Sequence, residues 1–177
     1  MENPMDDAHL GKILLYLKTE EDLPERFGLS DEAFLPLFFS LRFGGAWCYA
    51  SSAMKTIAIV KKTTVYDDTT RTGHTLEELF LFVNPELVAR EGTVCRLEKC
   101  GEENERLRVE RPFKVGIASE RVIKMTVNPQ SMQISTIELP AERRDFEGST
   151  AFAIAHEMEH LEETTIQGKN LWEFRFL

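Results

Sequence analysis

The segment His156-Glu157-Met158-Glu159-His160 constrains this chain more than any other. Its histidines stand at i and i+4, so an α-helix would stack them on one face, within reach of a single metal ion. The glutamate beside the first histidine would then point at water on that ion, where a general base is needed. Apolar periodicity predicts a helix from about Phe146 to Glu163 to carry the motif. Chance would give such a pattern in roughly one chain of this size in several hundred. That weighs against a solvated helix with two incidental histidines.

A chain of 177 residues has room for one domain, residues 1–177, with a proper core. Its 42% apolar and 29% charged content is that of an ordinary soluble globular protein. The net charge of −9 argues against nucleic acid as a direct partner, since phosphates call for a basic face. The longest apolar run, around Phe34–Phe39, is too short for a membrane span and contains Pro36, so no membrane partner is expected. The acidic N-terminus lacks the basic-then-apolar order of a secretory signal and the arginines of a transit peptide. The expected location is cytoplasmic. Three cysteines, Cys48, Cys95 and Cys100, make an odd count that does not suit a disulfide framework and brings thiolate chemistry into consideration. Cys48 lies in an apolar run and reads as a small buried hydrophobe.

Helices are predicted over about Ala8–Leu17 and from the N-cap Ser30 to about Arg42, with Pro36 an irregularity in the second. From Thr56 the texture turns to β. Ile57–Val60, Glu78–Val83, Leu107–Ala118, Val122–Val127 and Met132–Leu139 read as strands, with Pro112 marking an edge or bulge. The tail Leu171–Leu177 alternates as a last strand would. Helices segregated from a mainly antiparallel sheet define an α+β domain.

Two histidines do not complete a catalytic metal site; three protein ligands plus water is the usual minimum. A downstream glutamate such as Glu173 would give a thermolysin-like metallopeptidase. No histidine follows His160, which closes the metzincin option. A cysteine is the remaining choice.

Asn84-Pro85-Glu86, Glu98-Lys99-Cys100-Gly101, Val109-Glu110-Arg111-Pro112-Phe113-Lys114-Val115 and His156-Glu157-Met158-Glu159-His160-Leu161 occur in this order. The series resembles the landmarks N-P, E-G-C-L-S, R-P-x-x-V and H-E-x-D-H-L of peptide deformylase, over roughly the last two thirds of the chain. The resemblance implies antiparallel sheets around a central helix bearing the histidine motif. It implies one divalent metal ion, Fe2+ in cells with Zn2+, Ni2+ or Co2+ accepted, held by Cys100, His156 and His160. It makes Glu157 the general acid/base and the Gly101 backbone N–H an oxyanion donor. Cys95 is the competing thiol, and spacing to Arg111-Pro112 favours Cys100.

The implied reaction is hydrolytic removal of the formyl group from N-formylmethionyl peptides, the nascent chain at the ribosome among them, a step of N-terminal processing in protein biosynthesis. Departures from the family qualify that reading. The family's G-x-G-L-A-A-x-Q should fall within Phe43–Ser52, where Gly45 keeps the second glycine with Ala50 for glutamine, or Gly44 keeps the first with Ser51 for it. The glutamine amide, an oxyanion donor, is missing in either register, which points to weak activity. Lys99, Glu102, Glu159 and Glu163 also differ from the pattern, and turns at Asn128–Ser131 and Pro140–Arg143 absorb an insertion. Glu159 keeps a carboxylate able to orient a histidine. Gly45 and Phe152 fall where the family binds substrate, and Phe152 would narrow the pocket. Two other functions stay open: a deformylase-like binding or regulatory protein, and a metallopeptidase with another third ligand.

Overall fold

The computed structural model describes residues 23–99, 106–128, 131, 133–162 and 169–170. Two helices, α1 (Leu23–Phe27) and α2 (Asp31–Phe43), lead into β1 (Ala46–Ala50), β2 (Lys55–Asp67), β3 (Thr72–Val83), β4 (Glu86–Glu91) and β5 (Val94–Glu98). Then come β6 (Leu107–Arg111), β7 (Lys114–Ala118), β8 (Arg121–Asn128), β9 (Gln133–Leu139), β10 (Arg144–Glu147), α3 (Ser149–Leu161) and β11 (Lys169–Asn170). The fold is α+β with antiparallel sheets and few helices, as the sequence predicts. The expected helix over Ala8–Leu17 and the tail strand Leu171–Leu177 lie outside the described residues. No helix among the described residues is long and apolar enough to cross a membrane.

The largest sheet runs β1-β2-β3-β8-β9 and is built on the long β2–β3 hairpin, in register from Thr56 opposite Val83 to Asp67 opposite Thr72. At its tip the Asp67 carboxylate accepts the N–H groups of Thr69 and Thr70. Side chains alternate between the faces of a strand. Ile57, Ile59, Phe80, Phe82 and Val122 therefore face one way, packing on Phe146 and on Ile154, Met158 and Leu161 of α3. Ala58, Leu79, Leu81, Ile123 and Met125 face the other, against Phe34 and Leu37 of α2. Both faces are covered, which is why Leu79–Val83 is apolar without alternation.

Local chemistry explains where the elements differ from expectation. Pro36 does not interrupt α2: the carbonyl it leaves without an N–H partner is that of Glu32, on the exposed side, while Pro36 itself is buried. The expected strand Leu107–Ala118 is two strands in different sheets. Pro112 lacks the N–H to continue a ladder, and the chain passes there from the sheet β11-β6-β5 to the sheet β10-β7-β4. The helix expected from Phe146 begins at Ser149. Phe146 is buried in β10 opposite Val115, and Gly148, at φ +61°, makes the left-handed turn that separates strand from helix. β1, β4 and β5 were not expected. Ser131 donates its N–H to the Asn128 side chain and Glu142 donates its N–H to the Pro140 carbonyl, and β9, between these points, is the sheet edge.

Asn84 closes the base of the hairpin. At φ +48° it takes a conformation that asparagine tolerates better than most residues, its carbonyl oxygen accepts the Lys55 N–H, and its amide donates to Glu120. Lys55 in turn sends Nζ to the carbonyl of Leu161 at 2.9 Å. A cation thus meets the C-terminus of α3, where helix polarity favours it, and fixes the helix along β2.

Candidate metal centre

The face of α3 opposite its apolar stripe carries the histidine motif. His156 and His160 are half-buried, with ring centroids 4.8 Å apart and Nε2 atoms 3.1 Å apart. On the other side of its ring, His156 Nδ1 lies 3.1 Å from Glu98 Oε2, at the end of β5. Burial alone would raise the Glu98 carboxyl pKa; hydrogen bonds from His156 and Arg111 outweigh it and hold the pKa at about 2. A carboxylate ionised at neutral pH can only accept, so Nδ1 carries the proton in that bond. In the neutral imidazole the lone pair is then on Nε2, facing His160.

Arg111 holds this arrangement in place. It is 2% exposed at the end of β6. Its Nε and Nη2 donate to Glu98 Oε2 at 3.0 and 2.8 Å, and its Nη1 and Nη2 to the two oxygens of Glu159 at 2.6 and 3.0 Å. A planar guanidinium satisfies two carboxylates on adjacent edges, which an ammonium could not. Glu159, expected to orient a histidine, acts one step removed: it grips Arg111, Arg111 grips Glu98, and Glu98 holds His156. One arginine between two carboxylates leaves the cluster with a net negative charge beside the histidine nitrogens.

Glu157 points elsewhere. Burial raises its carboxyl pKa, opposed by a hydrogen bond from Cys48 and by the charges of His156 and His160. Cys48, read as a buried hydrophobe, is half-buried on β1 and serves as a polar partner to Glu157. A cavity of about 300 Å3 opens next to Glu157 and His156. Phe152 lines it, half-buried, with the Arg96 guanidinium 4.2 Å above its ring and Phe113 edge-on at 6.5 Å. Gly45, at φ +75°, immediately precedes β1, whose first residue, Ala46, lines the cavity.

The thiols divide by strand alternation. Glu98 and Arg96 share one face of β5, and Cys95 is on the other, exposed, with Arg108 Nη2 at 3.3 Å from its sulfur. Cys95 is therefore turned away from the face that meets His156. Cys100 and Gly101 lie outside the described residues, as do Glu102, Glu163 and Glu173. Among the described residues no group of three His, Cys, Asp or Glu side chains forms a metal site. Ser51 ties its hydroxyl into a turn with Ala53 and Met54, and Ala50 is exposed at the end of β1. Neither supplies an amide. Glu98, Arg111, Arg96 and Cys48 carry no assigned role in the sequence. For Glu98 and Arg111 the one signal in the sequence is their place inside the segments that resemble deformylase landmarks.

No family model, curated protein or solved structure matches the chain.

Proposed function

We propose that the chain is a metal-dependent hydrolase with a peptide deformylase-like fold, in which α3 is the metal-binding helix. Its reaction is removal of the N-formyl group from N-formylated peptides, with N-formylmethionyl peptides the class implied by the resemblance. The observation that carries this reading is the pair of Nε2 atoms 3.1 Å apart, with His156 oriented by Glu98. Two nitrogens bonded at about 2.0–2.1 Å to one tetrahedral ion stand roughly 3.3 Å apart, so the pair needs to open by only a few tenths of an ångström. The chemistry also fits: a carboxylate-held imidazole beside a net negative cluster favours a divalent cation.

His156 and His160 would hold the ion, with Cys100 as the third ligand by the resemblance. When bound, such an ion (Fe2+, or Zn2+, Ni2+ or Co2+) lowers the pKa of water and polarises the formyl carbonyl. Glu157 takes a proton at its carboxylate during attack and returns it to the departing amine, and burial makes that carboxylate a stronger base. Cys48 holds Glu157 in place from β1. The Gly101 N–H is the remaining backbone donor in this reading.

The test is formate release from a formyl-Met peptide by protein purified without oxygen and loaded with each of the four metals. Inertness with all four would sink the proposal. The third ligand is tested separately. Cys100→Ala should lose metal by more than the about 10–100-fold typical of a lost supporting partner, and Cys95→Ala should retain it. The opposite result would move the ligand to Cys95.

The absent amide predicts slow turnover. Ala50 shares its face of β1 with Ala46 and Cys48, which meet the cavity and Glu157. Ala50→Gln should therefore raise kcat, up to the about 10²–10³ that one oxyanion donor is worth, with little change in KM. Native rates already equal to that gain would mean that another donor fills the place. A protein inert both before and after the substitution would favour the binding-module function.

A further inference from the structure

We propose that the cavity beside His156 and Glu157 selects a ligand carrying a carboxylate, and that Arg96 is the residue that binds it. The cavity wall holds two cations, Arg96 and Lys99, on a chain whose net charge is −9. The two acidic residues in the same wall form no ion pair with them among the described residues. Glu98 gives its inner oxygen to Arg111 and His156, and Glu157 is bonded to Cys48. The Arg96 guanidinium carbon instead lies 4.2 Å from the centroid of the Phe152 ring, and no carboxylate pairs with it among the described residues. Arg96 lines the cavity, and contact with an aromatic ring leaves a guanidinium the N–H groups whose fork can bind a carboxylate bidentately.

An uncharged thioether side chain packs on Ala46, Phe152 and Ala153 of this wall but leaves the Arg96 and Lys99 charges to water. A carboxylate replaces that water with charge-assisted hydrogen bonds. Ser149, at the first turn of α3, adds a hydroxyl to the same wall. At about 300 Å3 the cavity is at the small end of ligand sites, room for one acylated residue and little more. The carboxylate has two sources, an acidic side chain on the formylated residue or the α-carboxylate of a formylated amino acid. The identity of the bond cleaved rests on the deformylase reading; the preference for an anion does not.

Calorimetry on the metal-loaded Glu157→Gln protein, which holds ligands without turnover, separates these. The probes are formyl-Glu-Ala-amide (acidic side chain only), formyl-Met (α-carboxylate only), formyl-Met-Ala-amide (neither) and formyl-Gln-Ala-amide as the neutral isostere of the first. At least one carboxylate probe should bind about 10-fold or more tightly than its neutral counterpart, and which one does so identifies the source. Adding Arg96→Leu should erase the difference while formyl-Met-Ala-amide binds as before, and Arg96→Lys should keep part of it. Equal binding of charged and neutral probes overturns the proposal, as does a preference that survives Arg96→Leu in a folded variant. Formate release by the native protein is scored apart. Anion preference without any release leaves Arg96 in its role and removes the deformylase reading; release without anion preference does the reverse.

Discussion

Glu157→Gln should retain one metal ion per chain and lose turnover by about 10²–10⁴, the usual range for a positioned general acid/base. The amide matches the carboxylate in size, so the packing of α3 against β1 and β2 is undisturbed, and its oxygen can still accept from Cys48. What it cannot do is take a proton. The substituted side chain is also not among the three expected ligands, because His156, one residue earlier on the helix, has its Nε2 turned to His160 rather than to Glu157. Metal content by elemental analysis and formate release, measured on the same preparation, check both halves. Loss of metal together with activity would make Glu157 a ligand and require a different base.

Cys48→Ala addresses the same group from the strand side. Removing the thiol leaves Glu157 without the donor that opposes its burial, which shifts its carboxyl pKa further up. The alanine variant therefore separates positioning of the base from its presence.

The helix with its two histidines was legible because its period and its side-chain chemistry both reside within five consecutive residues. The long hairpin was legible in part, through the β-branched and aromatic stretches Ile57–Val60 and Glu78–Val83. β4 and β5 were not, since Glu86-Leu87-Val88-Ala89-Arg90-Glu91 and Val94-Cys95-Arg96-Leu97-Glu98 mix charges into short strands at the sheet edges. Those charges are where the site is. Glu98 meets Arg111 across 13 positions and His156 across 58, and Arg111 meets Glu159 across 48. Such pairings are decided by which strands and helices pack together, so local pattern does not contain them. The start of α3 was misplaced for a related reason: Phe146 is apolar and close to the helix in sequence, and a single glycine with positive φ leaves it in β10 instead.

Arg111→Ala should cost about 3–5 kcal/mol of stability, because it leaves two carboxylates, Glu98 and Glu159, facing each other without their shared cation in a water-poor site. For a chain of this size that is a fall in Tm of roughly 6–20 °C. Arg121→Ala is the control. Arg121 makes an equally well-formed pair with Glu138, at 2.7 and 2.9 Å, but in solvent on the sheet edge, and its removal should cost about 1 kcal/mol or less. Arg111→Lys should recover little, since one ammonium cannot bridge both carboxylates with the geometry of the fork. The same link has an acid limb in the metal-free protein. The Glu98 carboxyl is held at about 2, below its ordinary value of 4.5, so its contribution is complete above about pH 4.5 and is lost as pH falls toward 2. Arg111→Ala raises that carboxyl pKa and so removes part of the acid-dependent loss along with the stability itself. Equal thermal shifts for Arg111→Ala and Arg121→Ala would show that the buried cluster contributes no more than a surface pair, and the orientation of His156 would then need another cause.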